Sequence, residues 1–179
     1  ELLHPENREL QEWAVYFEYG FGGKKPRHRT AGSEVPLNKT FLWDGEEWLA
    51  PTLYCCSEGL VLDLLKKVPV ETLRRFAEKW GMDENDAPRR ELTAEEQDEL
   101  EAENPMEEHF RAKVRVNGRD LRVSTGYGRI YWYSDDGCCE GEADEVLTHY
   151  GLPRDCGWVI WRLCCPWDGK KLTPDTLEL

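Results

Sequence analysis

Two glycine-containing dipeptides, Asp44-Gly45 and Asn117-Gly118, constrain the fold of this chain more than any other feature. Both favour the two-residue type I′ turn, which joins neighbouring antiparallel strands. Runs rich in aromatic and β-branched residues flank each turn, so the sequence predicts one hairpin with strands at 40–43 and 47–54, and another with strands at 110–116 and 120–124. Further strands are predicted at 13–19, 59–65, 129–133 and 158–164.

Three segments carry the signals of helices. In the first, apolar residues recur at helical spacing up to a glycine that favours a left-handed stop, at Val70, Leu73, Phe76, Ala77, Trp80 and Gly81. A capping box at 93–96 opens a second helix that ends near Glu103, and a third helix spans 142–150. The apolar run at 59–65 suits a strand or a helix, and we interpret it as a strand because the helix after it has its own, clearer signal. This order of elements predicts an α+β fold, with a largely antiparallel sheet and two to three helices packed mainly on one side.

The length of 179 residues fits one domain over 1–179, with a polar lead-in at 1–12 and a weakly ordered tail at 168–179. A polar stretch at 82–105 could separate two lobes, but each would hold only about 80 residues. The longest unbroken apolar run has five residues, whereas a membrane helix needs about 20, so no membrane partner is expected. No secretory signal is visible, although a chain that begins at Glu1 leaves open the removal of a leader.

Acidic residues outnumber basic ones by 36 to 23, which gives a formal net charge of −13. Because nucleic-acid binding depends on Lys and Arg side chains that neutralise phosphates, this balance argues against a nucleic-acid partner. A basic cluster nevertheless occurs in one loop and includes Lys24, Lys25 and Arg27. The cluster could dock an acidic partner or a small anion. Alternatively, it could pair with the acidic segment at 91–108 or stay solvated.

Seven cysteines, six of them in three adjacent pairs, are most simply structural thiols. Their odd number prevents complete internal pairing, and no C-x-x-C motif points to a zinc finger or a thioredoxin-like site. We therefore expect a reducing compartment, most simply a bacterial cytoplasm, and no cofactor. The alternative is a structural metal protein. Because one side chain of each pair faces a given side of a strand, a zinc ion could be held by Cys55, Cys138 and Cys164, with His149 or Cys156 as the fourth ligand.

A catalytic role has little support in the sequence. A thiol-dependent enzyme or hydrolase would need a cysteine near a histidine, and Cys138 lies just before the predicted helix at 142–150, with His109 and His149 available. Acidic neighbours of Cys138 disfavour its thiolate, however. The glycine loop at 20–25 lacks the spacing of a P-loop, and no serine-elbow, zinc-protease or dinucleotide motif occurs. The enzyme with a Cys/His cleft stays the alternative to a non-catalytic protein.

Eight tryptophans make the chain rich in large aromatic side chains. Trp43 and Trp48 flank the first hairpin turn. Trp158 and Trp161 are three apart in a predicted strand, so they face opposite sides of the sheet, and one must leave the core unless both faces are covered. Aromatic residues at an exposed edge often mark a binding surface, although an aromatic-rich core would explain the same composition. The leading hypothesis is a non-catalytic domain that binds a protein or a small ligand through this aromatic surface.

Four segments of the chain resemble pieces of an uncharacterised bacterial protein family. They are CSEGLVLD at 56–63, FAEKW at 76–80, HYGL at 149–152 and GWVIWR at 157–162. The resemblance implies a bacterial source. It implies nothing about chemistry, because none of these segments is a catalytic signature.

Overall fold

The computed structural model describes residues 12–22, 25–83, 87–133 and 141–179. These residues form an α+β fold, as the sequence predicts. Its elements are β1 (Ser33–Trp43), β2 (Glu46–Cys55), β3 (Gly59–Val68), α1 (Val70–Trp80), α2 (Ala94–Glu103), β4 (Val114–Val116), β5 (Arg119–Leu121), β6 (Thr125–Tyr131), α3 (Glu142–Tyr150), β7 (Gly157–Pro166) and β8 (Leu177–Glu178). One antiparallel sheet has the strand order β1-β2-β3-β7-β6, and a second, smaller one has the order β5-β4-β8.

Both predicted hairpins are present, and their turns have the expected backbone conformation. Asp44 and Gly45 have φ values of 53° and 76°, and Asn117 and Gly118 have values of 52° and 75°. Positive φ at both central positions is the property that a type I′ turn requires. The first hairpin joins β1 to β2 in the large sheet. The second joins β4 and β5 in the small one, and these strands are shorter than predicted, because 110–113 and 122–124 are not in strands.

The five-stranded sheet is covered on both faces, so its central strands β3 and β7 are buried along nearly their whole length. Leu62 and the other even positions of β3 point to what we call the front face, and Val61 and the odd positions point to the back face. The small sheet packs on the front face, and α3 with residues 13–21 packs on the back. This double covering explains why β3 has a continuous apolar run instead of an alternating one.

Two of the three helices described lie on the front side of the sheet. Leu73 of α1 packs against Val159 of β7, whereas Phe76 and Trp80 pack against Leu100 of α2. The apolar face of α1 therefore contacts both the sheet and the neighbouring helix α2. None of the described helices is long and apolar enough to cross a bilayer.

The strand predicted at 13–19 does not form, and this prediction is wrong. Glu18 and Gly20 have φ values of 58° and 68°, which are left-handed conformations that interrupt an extended chain. The segment runs irregularly beneath the back face, where Val15 accepts a backbone hydrogen bond from Gly32 at 2.8 Å. Its aromatic and β-branched residues therefore serve burial against a sheet and not pairing within one.

The tail at 168–179, which has little sequence pattern, contributes β8 to the small sheet. The side chain of Asn117 fixes the segment that leads into β8 by three hydrogen bonds. It donates to the carbonyl oxygen of Thr173 at 2.9 Å and accepts from the backbone N–H groups of Asp175 and Thr176 at 2.8 and 3.0 Å. This path brings Leu179 beside the end of the β1–β2 hairpin.

Candidate functional site

A cluster of aromatic side chains lies on the front face, where the β1–β2 hairpin ends. The strand register sets Phe41 opposite Trp48, with ring centroids 6.4 Å apart. Trp43 meets Trp48 edge-on at 5.9 Å. Phe110, from the segment between α2 and β4, lies between Trp48 and Trp161 at centroid distances of 5.5 and 5.6 Å. Edge-to-face contacts of this kind are favourable beyond the area they bury, so the five rings hold one another in place.

Four of these rings, all but that of Trp161, form the floor of an open cavity of about 410 Å³, which we call the aromatic groove. Its apolar lining consists of Phe41, Leu42, Trp43, Trp48, Leu64, Phe110, Ala112 and Leu179. The side chains of Leu42, Trp43 and Leu179 are 77, 45 and 54% exposed. Contiguous exposed apolar surface of this kind commonly marks a binding site. The two charged side chains that line the groove, Arg111 and Lys113, are both basic.

A buried ion pair anchors the segment that carries Phe110 and the two basic residues. Lys66 of β3 is only 3% exposed, and its ammonium group donates to the carboxylate of Glu108 at 2.7 Å. Glu46 lies 3.8 Å from the same ammonium group. Two residues before Glu108, Met106 is buried against the sheet. The segment is thus fixed at Met106 and at Glu108, which places Phe110 over the front face.

Two tryptophans of this region carry buried indole N–H groups that have no hydrogen-bond acceptor in the described part of the chain, Trp48 and Trp161. Other tryptophans are satisfied: the indole N–H groups of Trp13, Trp80, Trp158 and Trp167 donate to Tyr54, Glu103, Pro153 and Cys56. A buried donor without an acceptor costs about 1–3 kcal/mol.

The structure brings together three of the four tryptophans that the sequence singles out as a surface. Trp43, Trp48 and Trp161 belong to the front-face cluster. Trp158 lies on the back face, where it is 4% exposed and its indole donates to the carbonyl of Pro153 at 2.9 Å, so it is a core residue. Sequence reasoning missed Phe110, Arg111 and Lys113, because nothing in a predicted strand at 110–116 marks it as the wall of a groove.

The basic loop does not pair with the acidic helix. In the described part of the chain, Lys25 and Arg27 are exposed and take part in no ion pair, and Lys24 lies outside the described residues. The carboxylates of α2 have other partners: Lys79 binds Glu99 and Glu103, and Arg90 binds Glu96. Neither Lys25 nor Arg27 lines the aromatic groove, and the predicted docking role of the loop stays a prediction.

A buried polar network occupies the back face. Asp63 of β3 and Arg162 of β7 are direct cross-strand neighbours, and two hydrogen bonds of 2.8 Å join the guanidinium to the carboxylate. The hydroxyl of Tyr150 donates to the same carboxylate, and the hydroxyls of Tyr150 and Tyr54 are 2.7 Å apart. The indole of Trp13 donates to the Tyr54 oxygen at 2.9 Å. Asp63 and Arg162 are 0 and 2% exposed.

The hydrogen atoms of this network have one consistent order. An ionised Asp63 only accepts, so Tyr150 donates to it, and Tyr54 must then donate to the Tyr150 oxygen. Burial and the charge of Asp63 raise the pKa of Tyr150 far above its usual range, and burial raises the pKa of Tyr54 as well. Burial opposes the charge of Arg162, but Asp63 beside it outweighs that effect and raises the pKa. Every named group is satisfied, so the network joins the sheet, α3 and the segment at 13–21.

The cysteines proposed as metal ligands are not brought together. Cys55 packs on the front face and Cys164 on the back face of the same sheet, so their thiols lie on opposite sides of the strands. His149 is stacked on Trp13 at 4.2 Å and lies 2.9 Å from a carboxylate oxygen of Glu34. Cys138 lies outside the described residues. Across residues 12–22, 25–83, 87–133 and 141–179, no group of three or more His, Cys, Asp or Glu side chains could hold a metal ion.

We expect the five described cysteines, Cys55, Cys56, Cys156, Cys164 and Cys165, to react slowly with iodoacetamide in the native protein. Each is a buried free thiol. Burial raises the pKa of Cys56 to about 11 and that of Cys165 to about 12. Because the thiolate is the reacting form, its low population slows alkylation. Denatured protein should take up seven labels, and peptide mass spectrometry of timed samples measures each rate. Fast native labelling of Cys56 or Cys165 would contradict this expectation.

Comparison with known proteins does not extend this description. No protein-family model, curated protein or solved structure matches the chain. The resemblance to a bacterial family stays a prediction, and the inferences below therefore rest on the geometry of the described residues.

Proposed function

We propose that this chain is a non-catalytic binding domain and that the aromatic groove is its ligand site. The observation that carries the proposal is the concentration of exposed apolar side chains around one open cavity. Leu42, Trp43 and Leu179 expose large apolar surfaces there. Concave apolar sites with a few polar groups are the usual form of small-ligand pockets, and 410 Å³ is within their range.

The described residues favour binding over thiol catalysis. The thiols of Cys56 and Cys165 are buried and have raised pKa values, which suits packing better than nucleophilic attack. His109 is exposed and lies 3.7 Å from Glu107, and His149 is held by Glu34. In the described part of the chain, no cysteine is hydrogen-bonded to either histidine, so these residues offer no cysteine–histidine pair.

A neutral fluorescent probe tests the proposed function. N-phenyl-1-naphthylamine, which emits strongly only in apolar surroundings, should bind the wild-type protein with a signal that saturates. Trp43→Ala should weaken this binding by about tenfold or more, because a central aromatic contact commonly contributes over 1.4 kcal/mol. Tyr19→Ala is the matched control, since Tyr19 is also 45% exposed but does not line the groove. Absence of saturable binding, or equal losses in the two variants, would refute the proposal.

We also propose a bacterial source and a reducing compartment for the protein. The free, buried state of the five described cysteines supports the second proposal, because oxidising compartments favour disulfides. Protein isolated from its native cells under alkylation should carry seven modified thiols. Intramolecular disulfides in that material would overturn the assignment to a reducing compartment.

A further inference from the structure

We infer that the ligand of the aromatic groove is a small amphiphilic carboxylate, meaning a molecule with one apolar chain and one carboxylate head. This inference rests on the proposed function and adds the chemical class of the ligand. The groove combines an apolar floor with basic side chains at the rim, and each of these features matches one part of such a molecule.

The floor suits a single apolar chain. Its aromatic rings and Leu64 form a continuous apolar surface in a cavity of about 410 Å³. Cavities of this size hold small molecules and not folded domains, since a stable protein–protein interface buries about 800 Å² on each partner. The occupant to which we commit is therefore a small ligand.

The rim suits an anion. Arg111 and Lys113 are exposed and line the groove, and neither takes part in an ion pair with a described residue. Arg115 follows two residues later and differs, because it binds Asp120 at 2.7 Å and Glu178 at 3.5 Å. No described Asp or Glu side chain lines the groove, although the chain as a whole has a net charge of −13. Two such cations create a local positive field that attracts anions, and the charge of Lys113 also acts on the nearby carboxylate of Asp120.

The head group is best satisfied as a carboxylate. Arg binds carboxylates through two parallel N–H···O bonds, and Lys adds a point charge beside them. A cationic amphiphile would contact the same apolar floor, but the basic side chains at the rim would repel its charged head.

Three probes of matched chain length test the inference: decanoate, decanol and decyltrimethylammonium, each below its critical micelle concentration. Binding to the full chain is measured by calorimetry and by tryptophan fluorescence. We expect decanoate to bind at least about tenfold more tightly than decanol, and decyltrimethylammonium to bind more weakly than both. The preference for decanoate should shrink as ionic strength rises, because exposed charges are screened by salt.

Matched charge variants separate the local effect from the effect of net charge. Arg111→Gln with Lys113→Gln should remove the preference for decanoate and leave decanol binding unchanged. Lys25→Gln with Arg27→Gln changes the net charge by the same amount outside the groove, and it should leave both affinities unchanged. Thermal unfolding confirms that each variant is folded.

The two proposals fail in different ways. If decanol and decanoate bind equally well, or if both double variants act alike, the carboxylate inference is wrong while the groove remains a binding site. If none of the three probes binds, or if Trp43→Ala leaves decanol binding unchanged, the proposed function itself is wrong.

Discussion

Replacement of Asp63 by alanine is expected to lower the free energy of unfolding by about 3–5 kcal/mol. Asp63 is fully buried and accepts two hydrogen bonds of 2.8 Å from Arg162. Without the carboxylate, the guanidinium keeps the carbonyl of Gly20 at 2.7 Å as an acceptor but loses its counter-charge inside the protein. The hydroxyl of Tyr150 also loses its hydrogen-bond acceptor, which disrupts the hydrogen-bonded hydroxyls of Tyr150 and Tyr54. Urea unfolding followed by tryptophan fluorescence measures the loss.

A double-mutant cycle distinguishes this interaction from a general loss of packing. Asp63→Ala and Arg162→Ala should each be severe, and the double variant should cost clearly less than the sum, because it leaves no unpaired buried charge. The exposed pair of Arg115 and Asp120 is the control, and its cycle should show almost no coupling, since solvent screens such pairs. Additive losses at Asp63 and Arg162 would show that the ion pair is not the source of the effect.

Replacement of Phe76 by alanine is expected to cost about 3–5 kcal/mol, the range typical of a buried phenylalanine. Phe76 is 8% exposed and packs with Trp80 and Leu100 between α1 and α2. Removal of the ring leaves a cavity between α1 and α2. The core that these two helices share is small, so few side chains can move in to fill the cavity. Chemical denaturation monitored by circular dichroism measures the change.

The control for Phe76 lies two residues earlier on the same helix. Arg74 is exposed and pairs only with Glu71, so Arg74→Ala should change the stability little. Equal and mild effects of Phe76→Ala and Arg74→Ala would mean that the interface between α1 and α2 does not contribute to the folded core.

The parts of the fold that sequence reasoning predicted are those that depend on neighbouring residues. The turn at Asp44-Gly45 requires two positive φ values, which these residues adopt at little cost. The stop of α1 at Gly81 and the capping box at 93–96 have the same local origin, and both are present. The prediction at 13–19 failed because aromatic residues favour burial in general, and the partner that buries them is distant in sequence.

The candidate site also has one part that the local sequence predicted and another that it did not. The closeness of Trp43 and Trp48 was predictable, because a two-residue turn sets the register of the strands on either side of it. Phe110 and Trp161 could not be placed beside them, since their contact depends on how the segment after α2 crosses the front face. The ion pair between Lys66 and Glu108, 42 residues apart, and the burial of Met106 against the sheet hold that segment.

The sequence by itself determined the hairpins, the helix ends and the α+β class, because each follows from backbone preferences within a few residues. The tertiary structure alone decided the pairing of β3 with β7, and with it the buried contact between Asp63 and Arg162, which are 99 residues apart. A shift of one residue in that pairing would place the two charges on opposite faces, so packing of the whole sheet selects the register. The same packing covers both faces, which buries Trp158 on the back and leaves Trp43 exposed in the groove on the front.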